Sequence, residues 1–226
     1  MVKKIFLKIL RHFTNPIQAI FFDVRKIYWI YAKFYLTRIK KIDFPKSSFL
    51  MDIDYIDLLN LWDNIKKRKP KVILEIGSGY STILIAAAIK ELKKNNFIVN
   101  KFYSLEQNSN YLDMLKKIIK NNYLEEIEFI LTDLKIEKLY NTDVSICSNF
   151  PNDKINFIYE DRADHAIHKI AGDALKIETN MPDDYYICID GMRETVEFYK
   201  NFLKRKYKLT GGKFCGSNFE PIDKSY

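Results

Sequence analysis

The stretch Val72-Ile-Leu-Glu-Ile-Gly77-Ser-Gly79-Tyr-Ser-Thr82 decides how the chain is read. An apolar run of strand character holds an acid just before two glycines that stand one residue apart. A helix-forming segment with Ala86-Ala-Ala88 at its middle comes next. Glycine lacks a Cβ, so the backbone can turn tightly there and come close to a ligand. The helix that follows directs its free N–H groups and positive dipole end at that ligand. A second acid is expected at the end of the next strand, to hold ribose hydroxyls. Glu106, in Tyr103-Ser-Leu-Glu106, stands in that place.

Outward from this stretch the pattern alternates. The sequence predicts strands over 71–76, 102–106, 127–131, 155–159 and 185–189. It predicts helices over 54–68, 81–94, 111–121, 173–179 and 195–204. Repeated strand–helix units of this length mean a parallel sheet with helices on both faces. The tail from Tyr207, with Gly211, Gly212 and Gly216, suits an antiparallel hairpin. The expected fold is therefore α/β: a doubly wound, mostly parallel sheet with an antiparallel C-terminal hairpin, preceded by N-terminal helices.

Two units are expected, an arm over 1–50 and an α/β domain over 51–226. The arm has apolar residues at near-helical spacing from residue 17 to 35, and Pro16 separates a short first helix from this second one. The formal charge of the chain is +8. Residues 1–41 hold ten Lys/Arg and one acid, Asp23, and so carry +9, leaving −1 for the rest. A basic amphipathic arm rich in aromatics can cap the domain or lie on an anionic membrane. Both uses stay open for residues 1–41. Basic residues that avoid the folded body argue against nucleic acid as partner. Three cysteines without CxxC spacing fit a reducing cytoplasm and neither a disulfide framework nor a zinc site. No signal peptide is visible, and no apolar run reaches about 18 residues, as a spanning helix needs.

Two details favour S-adenosylmethionine over a dinucleotide. Glu75 stands just before the glycines, where a carboxylate would repel a pyrophosphate and attract an amino group or a sulfonium. Ser81 follows in the loop, and the tight pyrophosphate pattern of glycines is not completed. With these residues in view, Leu74-Glu-Ile-Gly-Ser-Gly-Tyr-Ser-Thr82 resembles the first motif of class I S-adenosylmethionine-dependent methyltransferases, which have a Rossmann-like fold. The likeness runs from about residue 70 to the C-terminus. It implies that Glu75, Gly77, Ser78 and Gly79 border the methionine and ribose part of the cofactor. It further implies that Glu106 binds the ribose and that Asp133 contacts the adenine.

Two later acids follow the fourth and fifth strands, in Tyr159-Glu-Asp161-Arg-Ala-Asp164-His165 and in Ile187-Cys-Ile-Asp190-Gly-Met-Arg193. Carboxyl ends of parallel strands are where open α/β sheets keep their sites. Three uses compete. Asp161 or His165 acts as general base; Asp161 and Asp190 hold a divalent cation; or Asp190 caps a turn while Arg193 binds an acidic substrate. His165 and His168 without a third ligand do not make a metal site. The expected function is methyl transfer to oxygen of a small or sugar-like acceptor. The catalytic candidates are Asp161, His165 and Asp190, and Arg193 is the substrate-binding candidate. The alternatives are a non-catalytic protein of this fold at a membrane, and an RNA methyltransferase with the arm as clamp. The expected location is cytoplasmic, with membrane association if the arm touches lipid.

Overall fold

Apolar runs without polar alternation form strands buried on both faces, and such strands belong in the middle of a parallel sheet. The computed structural model describes residues 24–162, 170–212 and 215–222. Its central strands follow that rule: β1 (Val72–Ile76), β6 (Phe157–Glu160) and β7 (Tyr186–Ile189) are buried along their whole length. To one side lie β2 (Lys101–Glu106) and β3 (Glu128–Leu131). To the other lie β8 (Tyr207–Gly212) and β9 (Cys215–Pro221). The seven strands run in the order β3-β2-β1-β6-β7-β9-β8. All pairings from β3 to β7 are parallel, and β9 is antiparallel to both β7 and β8. The doubly wound sheet and its C-terminal hairpin are thus as the sequence predicts. From β1 the chain goes outward to β2 and later returns to β6 on the opposite side. The crevice between the ends of β1 and β6 is therefore the point where the topology reverses, the place such sheets reserve for ligands.

The helices match their predicted places within a few residues. They are α1 (Val24–Phe34), α2 (Tyr55–Arg68), α3 (Tyr80–Lys94), α4 (Ser109–Ile118), α5 (Asn121–Leu124), α6 (Asp173–Ile177) and α7 (Arg193–Phe202). Asp54 caps α2, its side chain accepting the Ile56 N–H at 2.9 Å, and Lys69 closes it in the left-handed conformation before Pro70. The long predicted helix over 111–121 is two pieces, because Ile119 turns to extended backbone between α4 and α5.

Helix α1 continues into a π-turn over Tyr35–Ile39, with the Thr37 hydroxyl donating to the Lys33 carbonyl at 2.8 Å. Tyr31, Ala32 and Leu36 are buried in the same core as Leu61, Trp62 and Ile65 of α2 and Leu84 and Ala88 of α3. The opposite side of α1 exposes Ile30 and Phe34. Residues 1–23, with Pro16, Lys3, Lys4, Lys8 and Arg11, lie outside the described residues, as do 163–169 with His165 and His168. Among the described residues no helix is long and apolar enough to cross a membrane.

One element escapes the sequence reading. Strands β4 (Leu134–Leu139) and β5 (Thr142–Cys147) form a separate antiparallel ribbon between β3 and β6. Its first strand is half polar and has no buried residue, and its turn, Tyr140-Asn141, takes left-handed backbone at both positions without a glycine. Tyr140 stacks on Phe202 of α7 at 4.3 Å between ring centroids, which anchors the ribbon tip.

Beneath the ribbon lies a buried charged network. Arg162 pairs with Asp173 at 2.8 Å, stands 3.8 Å from Glu160 and donates to the Ser145 carbonyl at 3.0 Å. The Tyr199 hydroxyl donates to Glu160 at 2.9 Å, and Asp173 accepts the Cys147 N–H at 2.8 Å. One guanidinium faces two fully buried carboxyls. Burial first, and Asp173 second, push the Glu160 carboxyl up, against the opposing pull of Arg162 and the Tyr199 hydroxyl.

Candidate functional site

The glycine loop is built from below. Glu75, fully buried in β1, accepts the Thr82 hydroxyl at 2.7 Å and the Ser104 hydroxyl at 2.6 Å, both on Oε2. Thr82 Oγ1 in turn accepts the Gly79 N–H at 2.9 Å. Ser104 Oγ lies 2.7 Å from the Ser78 hydroxyl, which therefore donates to it. Two short hydrogen-bond chains thus run from one carboxylate to Ser78 and Gly79 of the loop. Oε1 of Glu75 is buried and has no hydrogen-bond partner. Burial raises this carboxyl to about 7; the hydroxyls around it act the other way, and Asp161 adds to the rise.

The two glycines differ in kind. Gly77 has φ +95°, and a Cβ there would stand 1.9 Å from the Asp161 carbonyl oxygen. Only glycine lets the β1 and β6 ends pack this closely. A Cβ at Gly79 would meet just the Tyr111 hydroxyl, at an ordinary 3.6 Å, so this residue leaves open space above the loop.

That space is a cleft of about 350 Å³ at the carboxyl ends of β1, β2, β6 and β7. The loop residues Gly77, Ser78 and Gly79 form its floor, and Glu106, Asp161 and Asp190 border it together with Tyr111 and Tyr159. Glu106 accepts the Ser78 N–H at 3.3 Å and the Asn108 N–H at 2.9 Å, so it ties the loop to the end of β2. Tyr159 donates to Asp190 at 3.1 Å. Asp161 is raised to about 7 by burial first and by Asp190 second. Asp190 is raised as well, chiefly by burial.

Of the residues singled out in the sequence, six therefore meet in one cleft: Gly77, Ser78, Gly79, Glu106, Asp161 and Asp190. Glu75 supports the loop from inside and does not line the cleft. Asp133 is exposed between β3 and β4, away from the lining. Arg193, exposed at the start of α7, borders a separate shallow depression with Glu194 and Glu197. His165 lies outside the described residues.

The sequence reading missed Asp57 on α2, which lines the cleft and comes before the glycine motif. Burial raises its carboxyl to about 8, with Asp190 and Asp54 adding to the rise and Arg25 and the Gly216 N–H opposing it. Its signal was masked, because an acid in the first turn of a helix reads as an answer to the helix dipole. Tyr111 and Phe49, in edge contact at 5.6 Å, close the side of the cleft. Among the described residues no group of three or more His, Cys, Asp or Glu is disposed to hold a metal ion.

No protein-family model matches the chain, and no curated protein matches its sequence. Solved structures do. An SAH-bound methyltransferase of Podospora anserina has a TM-score of 0.51 at 14% identity, covering 89% of this chain and 88% of its own. The O-methyltransferase from Bacillus cereus in complex with SAH gives 0.52 at 16%, covering 87% and 100%. The O-methyltransferase TomG from Streptomyces achromogenes, in complex with SAM, gives 0.53 at 10%, covering 89% and 100%. At such identities the likeness is one of fold. The chain has the Rossmann-like fold of these methyltransferases.

Proposed function

We propose that the protein transfers the methyl group of S-adenosylmethionine to an oxygen of a small or sugar-like acceptor. The observation that carries this reading is the junction of Ser78 and Glu106 on one wall of the cleft, at the point where the sheet topology reverses. The residues present fit this cofactor better than a dinucleotide. The described lining holds carboxylates and no Lys, Arg or His, which repels a pyrophosphate and attracts a sulfonium.

When bound, S-adenosylmethionine supplies an electrophilic methyl carbon on a positively charged sulfur. Glu106 holds the ribose hydroxyls, and the backbone of Gly77–Gly79 lies against the ligand without side chains in the way. Asp161 takes the acceptor's hydroxyl proton, which its raised affinity for protons suits. Asp190, fixed by the Tyr159 hydroxyl, orients the acceptor. Phe49 and Tyr111 keep water from the side of the cleft, so most of the catalysis is alignment. The O-methyltransferases from Bacillus cereus and Streptomyces achromogenes support the choice of oxygen by likeness of fold.

Isothermal titration with S-adenosylhomocysteine tests the reading. The expected result is saturable one-to-one binding that Glu106→Ala weakens by about tenfold or more, the loss of charged hydrogen bonds. Absence of binding to the folded protein overturns it.

A further inference from the structure

The cleft's charge says more about the acceptor than the fold does. Six carboxylates line it: Asp52, Asp54, Asp57, Glu106, Asp161 and Asp190. The described lining contains no cationic side chain. Two of the six hold parts of the fold together. Glu106 accepts two backbone N–H groups, and Asp54 caps α2 and pairs with Arg25 at 3.1 Å near the surface. Asp57, Asp161 and Asp190 arrive from three different elements, α2 and the ends of β6 and β7. Their arrangement is built. Tyr159 holds Asp190, and the backbone of Gly216 faces Asp57. Gly216 has no room for a Cβ, which would stand 2.4 Å from the Ile189 carbonyl, so β9 brings its N–H to the end of β7.

We infer that the acceptor is a small cation whose ammonium group sits among Asp57, Asp161 and Asp190, and that Asp57 is the specificity-determining residue. This rests on the methyltransferase reading and names the substrate class of that site. The site itself is defined by the glycine loop, the cleft and the topology; the three acids fix its sign. Burying like charges together costs free energy unless something neutralises them. Each of the three is raised, by burial first and in part by another acid of the cleft; Arg25, outside the lining, opposes the rise at Asp57, and no described lining side chain carries a positive charge. A metal ion needs converging ligands that the described residues do not provide. An ammonium makes longer contacts than a metal ion does, so carboxylates spaced more widely around one point can accept its three N–H donors. A phosphate or carboxylate on the acceptor is repelled by the same groups. An amino alcohol or amino sugar meets both demands, with a cation to anchor and a hydroxyl to methylate.

The test uses the full chain saturated with S-adenosylhomocysteine, titrated with putrescine, butanediol and succinate, which share a four-carbon scaffold and differ in charge. Putrescine is expected to bind at least about tenfold more tightly than butanediol, with an advantage that falls as salt rises. Succinate is expected to give no binding. Asp57→Asn, which keeps an acceptor for Gly216, is expected to weaken putrescine about tenfold and to leave S-adenosylhomocysteine affinity within about twofold. Retained S-adenosylhomocysteine binding also reports that the variant is folded. Equal binding of diamine and diol, or an Asp57→Asn variant that binds putrescine as well as the parent, overturns the inference alone. Failure to bind S-adenosylhomocysteine overturns the methyltransferase reading, and this inference with it.

Discussion

The two glycines of the loop look equivalent on paper and do different work. Gly77 is required by the fold, since a methyl group there meets the Asp161 carbonyl at 1.9 Å and the backbone is left-handed. Gly77→Ala is expected to cost about 2–4 kcal/mol, from strain and forced separation of β1 and β6. Gly79→Ala meets nothing closer than 3.6 Å and is expected to change stability by less than about 0.5 kcal/mol. Urea unfolding of the two variants side by side separates these roles; equal losses would contradict the packing account. Spacing alone reveals that both glycines belong to a loop. Which one the fold needs depends on Asp161, 84 residues away in sequence. Glu75 gives the same lesson. Its place before the loop is visible in the sequence, but its burial beneath the loop follows from which face of β1 it occupies.

Among the elements, those with a strong apolar period were legible and those held by tertiary partners were not. The five parallel strands read correctly because each is a short, mainly apolar run, and the three central ones are buried on both faces. The β4–β5 ribbon did not, since β4 is largely solvated and the turn has no glycine, and Val144, Ile146 and Cys147 of β5 are buried only by tertiary packing. Tyr140 on Phe202 and Arg162 beneath the sheet hold it in place. Arg162→Met is expected to destabilise the protein by about 3–5 kcal/mol, because it leaves Asp173 buried without its cation. A loss below about 1 kcal/mol in chemical denaturation would mean that the guanidinium contributes packing and not charge.

For the molecule as a whole, the acidic cleft sets how stability follows pH. Glu75 and Asp161 are raised to about 7 and Asp57 to about 8. A carboxyl with a folded pKa above its unfolded one binds its proton more tightly when folded. That stabilisation is complete below the unfolded value of about 4 and is lost as pH rises through about 7 to 8. The thermal midpoint is therefore expected to fall between about pH 5 and pH 8.5, and to fall less in the double variant Asp57→Asn/Asp161→Asn. At Glu91 and Glu220 burial is the largest single effect and raises each, but Lys40 and Lys66 on the first, and Thr210 and Arg68 on the second, together outweigh it, so these lowered groups act only at more acid pH. A midpoint that rises across that window, or an unchanged slope in the double variant, counts against buried charge in the cleft.

By itself the sequence determined the layered architecture, the place of the glycine loop and the acids at the ends of β2, β6 and β7. Those features are written in local periodicity and in position along a strand, which a chain carries whether or not it is folded. Only the tertiary structure decided which residues share the cleft. It put Asp57 in and left Arg193 out, and it made Glu75 the support of the loop. The reason is physical: burial and the charge of distant neighbours set the chemistry of a carboxyl, and both exist only once α2, the sheet and the C-terminal hairpin have packed together.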